Sequence, residues 1–272
     1  MAAMGVALQD GRQRVIGDRF AAELAGLRVL VTGASSGIGA AVATEFGRCG
    51  ARVAVHYNAN REGAERVAAA VAAGPGEASL LKRDLTRRGA PASLVAEAAD
   101  RLGGLDLLIN NAGDMFERRA LAAISDADLD QMVDLNIRPT VLASAAAVPL
   151  LRQSRGAIIN VSSISAHSGG AAGANLYASA KGFISTYTRG LARELAGDGI
   201  RVNGVAPGVI DTPLHARRTP PALFETFAAT IPLGRTGVPD DCVGAFLFLA
   251  CPSLSGYMTG QIIEVNGGQY MA

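Results

Sequence analysis

The chain has 272 residues, 49% hydrophobic and 18% charged, with a net charge of +1, the composition of a soluble globular protein with material for a sizeable core. Its arginines are scattered and form no basic stripe, which argues against nucleic acid or an anionic membrane as partner and leaves small molecules. Cys49, Cys242 and Cys251 form no C-x-x-C pair and no metal-ligand spacing with His56, His167 or His215, so no metal site is expected and the thiols read as reduced, in a cytoplasmic protein.

Residues 1–26 mix polar and apolar side chains with Gly and Asp breaks and read as an N-terminal arm, without the basic region and continuous apolar run of a signal peptide. From there, apolar runs rich in Val and Ile alternate with Ala-rich helical stretches, the pattern of parallel β-α-β construction. Seven strands are predicted: Arg28 to Thr32, Arg52 to Tyr57, Ser79 to Arg83, Leu105 to Asn110, Ala157 to Ser162, Arg201 to Ala206 and Gln261 to Val265. There is no internal repeat and no second composition regime, so residues 27–272 read as a single α/β domain with a seven-stranded parallel sheet. The apolar run Val141 to Leu151 falls far short of the roughly 20 residues that span a bilayer and reads as a buried helix.

The first predicted strand runs into Gly33, Gly37 and Gly39 and then into an amphipathic helix reaching Gly50. Glycines at a strand-to-helix turn let backbone N–H groups approach a pyrophosphate, and the helix N-terminus adds partial positive charge. The spacing is T-G-x-x-x-G-x-G, distinct from a P-loop, and the segment Gly33 to Gly39, with Ser35, Ser36 and Ile38, is the expected anion cradle. An acid at the end of the second strand would bond a ribose 2′-hydroxyl and select NAD. Here "VAVHYNANREG" has none between Gly50 and Arg61, with Tyr57 in its place. A 2′-phosphate would meet no repulsion and could be held by Asn58, Arg61 and Ser35 or Ser36, so NADP is expected in preference to NAD, which stays open.

Further on, Pro139 follows Asn136 by three residues; inside a helix it would free carbonyls around Leu135 and Asn136, where water could be held. The strand in "GAIINVSSISAHSGG" ends in Ser162 and Ser163: the first is expected to hydrogen-bond locally, the second to set a hydroxyl beside a reacting group. Then "NLYASAKGF" places Tyr177 and Lys181 four apart, on one helix face. Only two of the 25 basic residues are lysines. A phenol with pKa near 10 needs a neighbouring cation to work at neutral pH, and a compact ammonium can stand near it while holding two ribose hydroxyls, which a planar guanidinium fork cannot.

Taken in order, "TGASSGIG", "DL" at Asp84, "NNAG" at Asn110 to Gly113, Asn136, Ser163, "YASAK", "PGVIDTP" at Pro207 to Pro213 and "TGQIIEVNGG" resemble the short-chain dehydrogenase/reductase family, from about Leu27 to Gly268. The resemblance implies a doubly wound, NAD(P)-binding Rossmann-like fold, hydride transfer to and from a carbonyl or secondary alcohol, and assembly as a homotetramer or homodimer. It implies that Tyr177 is the acid in reduction and the base in oxidation, and that Lys181 lowers its pKa and binds the nicotinamide ribose. Ser163 would position the substrate oxygen, and Asn136 would hold a water linking Lys181 to solvent. Asp84, beside Leu85, would contact adenine; Asn110 would lie by the adenine ribose, with Ala112 and Gly113 also along the cofactor. Pro207 and Gly208 lead to Ile210 and Thr212, which would meet the carboxamide. The Ser-to-Tyr interval is one residue longer than in many relatives, which leaves Ser165 as the alternative to Ser163.

Specificity is expected from Asp114 to Arg119, from Ser165 to Asn175, and from Leu214 to Ile231, which carries His215, Arg217 and Arg218. The resemblance covers oxoacyl-thioester reductases and sugar dehydrogenases alike, so a β-ketoacyl thioester, a sugar and a small alcohol all stay open as substrates. Two rival readings are a non-catalytic dinucleotide-binding sensor, against which intact Ser163, Tyr177 and Lys181 stand, and a serine hydrolase using Ser163 with His167, which lacks a G-x-S-x-G elbow. The apolar helix Val243 to Ala250 is expected either at a subunit interface or inside the monomer.

Overall fold

The computed structural model describes residues 22–271, so all but the end of the expected N-terminal arm lies outside the described residues. The first half runs β1 (Arg28–Val31), α1 (Gly37–Arg48), β2 (Arg52–Tyr57), α2 (Arg61–Ala72), β3 (Glu77–Lys82), α3 (Ala90–Leu102), β4 (Leu107–Asn110), α4 (Asp126–Asn136) and α5 (Arg138–Ser154). The second runs β5 (Ala157–Val161), α6 (Ser165–Ser168), α7 (Asn175–Leu195), β6 (Arg201–Pro207), α8 (Pro213–Arg218), α9 (Pro221–Ala228), α10 (Pro239–Ala250), α11 (Pro252–Ser255) and β7 (Ile262–Val265). Every predicted strand is present, with its ends moved by no more than two residues.

All strand pairs are parallel, in the order β3-β2-β1-β4-β5-β6-β7. Strands covered on both faces need apolar side chains on both, and "RVLV" supplies them: Val29 and Val31 face one core, Leu30 the other. On the first face α1, α2 and α10 bring Phe46, Val67, Val71, Phe246 and Leu249; on the second α3, α5 and α7 bring Leu94, Leu102, Leu151, Leu191 and Leu195. The apolar run of α10 is thus spent largely inside the monomer, where Val243, Phe246, Leu249 and Ala250 are buried. Because β1 is flanked by β2 and β4, the chain winds away from β1 in both directions, and the crevice at the strands' carboxyl ends lies at this reversal.

Pro139 does not kink a continuous helix as expected. A capping box of Ser125 and Asp128 opens α4, which stops at Asn136; Ile137 breaks the run, and α5 begins with Pro139 in its first turn, where a missing N–H costs nothing. Buried polar side chains then tie the layers together. Asn110 Nδ2 donates to Ser144 Oγ (3.0 Å) and Asn160 Oδ1 (2.9 Å), Asn160 Nδ2 donates to Thr188 Oγ1 (2.9 Å), and that hydroxyl donates to the Ile184 carbonyl.

Candidate active site

Two adjoining cavities open in the crevice, one of about 800 Å³ and one of about 540 Å³, meeting at Gly33, Ser36, Gly37, Gly113, Pro213 and Arg217. The larger follows the glycine turn. Gly33 has φ +65°, and a Cβ there would lie 2.9 Å from Ala112 Cα; at Gly39 a Cβ would strike Asn111 Nδ2 and come within 2.5 Å of the Gly33 carbonyl oxygen. The turn is held by its neighbours: Thr32 Oγ1 accepts from the amides of Asn111 and Ala112, and Asn111 Nδ2 donates to the carbonyls of Thr32 and Gly33. Gly33 N donates to His56 Nδ1 at 2.9 Å, which leaves Nε2–H to donate to the Arg83 carbonyl at 3.0 Å. Burial pushes the His56 pKa down to about 4, so this link is a neutral imidazole at working pH. Ser36 makes no side-chain cap on α1, leaving the helix's first amides open toward the cavity.

The smaller cavity brings together Tyr177, Lys181, Ser163 and Ser165 with Ile38, and its far side is formed by Pro207, Gly208, Ile210 and Thr212. Lys181 is buried; its Nζ donates to the Val161 carbonyl at 2.8 Å and stands 5.6 Å from the Tyr177 ring centre. Burial pushes the Lys181 pKa down to about 8. The expected lowering of the phenol pKa by Lys181 is not found: burial pushes Tyr177 up to about 12, with the Ser163 hydroxyl pulling it down and the Asp114 charge adding to the rise. Ser163 Oγ also accepts from Ser165 N at 3.1 Å, and it is Ser163 that acts on the phenol, though both serines line the cavity. Ser162, expected to bond locally, reaches across to α7, donating to the Lys181 carbonyl at 3.1 Å and sharing a hydrogen bond with Ser185 Oγ at 2.6 Å.

A family model described as enoyl-(acyl carrier protein) reductase matches residues 33–269. The chain belongs to the short-chain dehydrogenase/reductase family. It is 38% identical over 254 residues to a glucose and ribitol dehydrogenase homolog of Oryza sativa subsp. japonica, covering 88% of this chain and 84% of that one. It is 35% identical over 246 residues to the 3-oxoacyl-(acyl-carrier-protein) reductase of Thermotoga maritima, covering 90% of this chain and 98% of that one. Among solved structures, a short-chain dehydrogenase from Burkholderia cenocepacia in complex with NADP superposes with a TM-score of 0.85 at 34% identity, over 91% of this chain and 99% of that one. An NADH-dependent reductase complexed with NAD does so with a TM-score of 0.83 at 34% identity, over 93% and 100%. The protein is therefore an NAD(P)-dependent oxidoreductase of this family.

As a short-chain dehydrogenase/reductase, it places most of its motif residues along the crevice. Ser35, Asn58, Asp84, Leu85 and Ala112 line the larger cavity. Asp84 accepts from the amide and hydroxyl of Thr86, which hold its carboxyl below the usual range. Two expected residues fall elsewhere. Arg61 begins α2 on the solvent side, exposed and paired with Glu65 at 2.8 Å; Arg66 and Arg83 line the cavity instead. Asn110 spends its amide on Ser144 and Asn160 within the layers, and its neighbour Asn111 reaches the smaller cavity. Asn136 stands behind Gly113, exchanging hydrogen bonds with the backbone of Asp114; a Cβ on Gly113 would lie 2.7 Å from Asn136 Oδ1 and 3.6 Å from Lys181 Nζ.

Further side chains reach the smaller cavity from distant parts of the chain. His167 is no partner for Ser163: its Nε2 meets Glu264 Oε1 at 3.0 Å and its ring stacks on Tyr270, 4.4 Å between centres. That stack docks the C-terminal segment, and Gln269 and Tyr270 become part of the cavity wall. Arg218 pairs with Asp114 at 2.9 Å, with Arg217 at 3.9 Å from the same carboxylate. His215 lines the wall against Phe224 and Phe227, and burial lowers its pKa. Among the described residues no group of His, Cys, Asp or Glu is placed to hold a metal, and no helix is long and apolar enough to cross a membrane.

Proposed function

We propose that the chain is a carbonyl reductase and secondary-alcohol dehydrogenase that prefers NADP(H) to NAD(H), with Tyr177 as its acid/base. The observation that carries this is the convergence of the Tyr177 phenol, the Ser163 hydroxyl and Lys181 on one cavity that opens directly onto the glycine-lined groove. The bound cofactor supplies or accepts a hydride at nicotinamide C4. Residues Gly33 to Gly39 and the open amides of α1 suit a pyrophosphate, Asp84 and Leu85 an adenine, and Ile210 and Thr212 a carboxamide. Lys181, charged below its pKa of about 8, has donors for ribose hydroxyls.

In reduction, Ser163 donates to the substrate oxygen and Tyr177 delivers the proton as charge builds there. A phenol with pKa about 12 stays protonated at neutral pH and still gives its proton to an alkoxide, which is far more basic. The site as folded thus suits reduction; oxidation needs the Lys181 charge to stabilise a phenolate. The preference for NADP rests on the absence of an acid at the end of β2 and on Asn58, Arg66 and Arg83 along that part of the groove. The relatives' names support an acyl or polyol skeleton, β-ketoacyl thioester or sugar. Exposed Leu129, Leu142 and Phe183 on α4, α5 and α7 support a homotetramer or homodimer, and the free thiols of Cys49, Cys242 and Cys251 support a cytoplasmic protein. The test is oxidation of NADPH and NADH over a panel of oxo esters, oxo acids and ketoses. NADPH is expected to give kcat/KM about tenfold or more above NADH. Binding of either cofactor without turnover of any carbonyl would favour the sensor.

A further inference from the structure

Three cationic side chains, Arg118, Lys181 and Arg217, border the smaller cavity, and no carboxylate of the described residues lines it. Two of the three are engaged. Lys181 is committed to Val161 and the face of Tyr177, while Arg217 stands by Asp114 and borders both cavities at their junction. Arg118 belongs to the smaller cavity alone. Its Nη1 reaches the Ala172 carbonyl only at 3.5 Å, its Nη2 reaches the Met115 thioether at 3.7 Å, and its Nε is buried with no partner among the described residues. A guanidinium carries five donors, and buried donors are almost always satisfied. Burial already lowers the Arg118 pKa, and the Arg118 charge helps lower that of His215 on the same wall.

Arg118 is held there by the segment between Ser163 and Tyr177. Arg119 N donates to the Gly173 carbonyl at 3.0 Å, and Gly173, at φ +74°, lies so close that a Cβ would come within 3.0 Å of Arg118 Cβ. Only a residue without a side chain lets the two segments meet. The terminal nitrogens of Arg118, held only by those two long contacts, match a carboxylate in charge and in bidentate geometry, with phosphate as the competing anion.

We propose that Arg118 is the carboxylate-binding residue of the substrate site, so that the substrate is an oxo acid, or in reverse a hydroxy acid, whose carbonyl end meets Ser163 and Tyr177. The carbonyl carbon gains the cofactor's hydride, its oxygen gains the Tyr177 proton, and the carboxylate is unchanged. The reacting end rests on the function proposed above; the carboxylate contact does not, and binding tests it separately.

The experiment is calorimetry on the NADP-saturated full chain with 4-oxopentanoate, its methyl ester and inorganic phosphate. The acid is expected to bind about tenfold or more tighter than the ester, the scale of one charge-assisted hydrogen-bond pair. Arg118→Gln should erase that preference, Arg118→Lys should keep part of it and control for folding, and Arg217→Gln should leave it in place. Equal affinity for acid and ester, no measurable binding of the acid, survival of the preference in Arg118→Gln, or phosphate binding tighter than the acid would each overturn the assignment. Preference for the acid without any turnover would instead defeat the proposed reaction and leave the carboxylate site standing.

Discussion

The two cavities are made of different materials. The larger is a main-chain structure: a glycine turn, open helix amides and strand ends, with side chains such as Thr32, His56 and Asn111 serving to hold the backbone in place. The smaller is walled largely by side chains from separated segments, among them Met115 to Arg118, Ser163 to Lys181, Pro207 to Thr230 and Gln269 to Tyr270. A backbone site tolerates almost no change of residue at its tight points, because the constraint is the absence of atoms. A side-chain site can be rewritten one residue at a time, and this is where a common fold diverges in substrate.

This contrast can be broken or sharpened by experiment. The largest effect is expected at the reacting group: Tyr177→Phe should lower turnover about a thousandfold while NADPH binding, read by fluorescence, stays nearly unchanged. Retained turnover would end the acid/base assignment. Next comes the main-chain site. Gly39→Ala forces a Cβ against the Gly33 carbonyl, and nucleotide affinity should fall about a hundredfold with a loss of roughly 2–3 kcal/mol in stability. Ser165→Ala, across the boundary, should cost less than about 1 kcal/mol on either measure.

The buried titratable groups separate the regions by pH. His56 has a folded pKa of about 4, below its ordinary 6.5, so its contribution is fully present above pH 6.5 and is lost as pH falls through 4, to the extent of about 3 kcal/mol. Denaturant melts should show that acid limb, and His56→Gln should flatten it. Lys181, with a folded pKa of about 8 against 10.5, has the same sign in a higher window: the strain of its buried charge is present below pH 8 and relieved between 8 and 10.5. Lys181→Met should therefore be inactive, yet more stable at pH 7 by about 2 kcal/mol, with the gain shrinking above pH 8. Destabilisation at pH 7 would mean the Val161 contact outweighs the burial of charge. The smallest effect belongs to the groove's edge: Arg66→Ala should raise the KM for NADPH about threefold to tenfold, and Arg61→Ala less than about twofold.

Parts of both regions are legible as local patterns. Seven apolar runs, the glycine spacing and the Tyr-Lys interval of one helical turn are local patterns, and local patterns survive folding. What escaped depended on chain closure. Arg61 and Arg66 each pair one helical turn away, with Glu65 and Glu62, and only their placement on α2 decides that Arg66 lines the groove. Asn110 and Asn111 are neighbours, and only the partners Ser144 and Asn160 decide which amide is spent in the layers. His167 and Glu264 are 97 residues apart, and no periodicity announces their pairing. The phenol pKa went the other way from expectation because burial, which no motif encodes, outweighs a lysine whose ammonium is turned to a carbonyl.

The polar ties between β5 and α7 bear on movement. Val161 with Lys181, Ser162 with Ser185, and Asn160 with Thr188 fasten successive turns of α7 to the last two residues of β5 and the residue that follows it. Rolling or sliding that helix would rupture all three at once, each a loss of about 1–3 kcal/mol. Any rearrangement that leaves these ties intact leaves the Tyr177 side of the cavity in place.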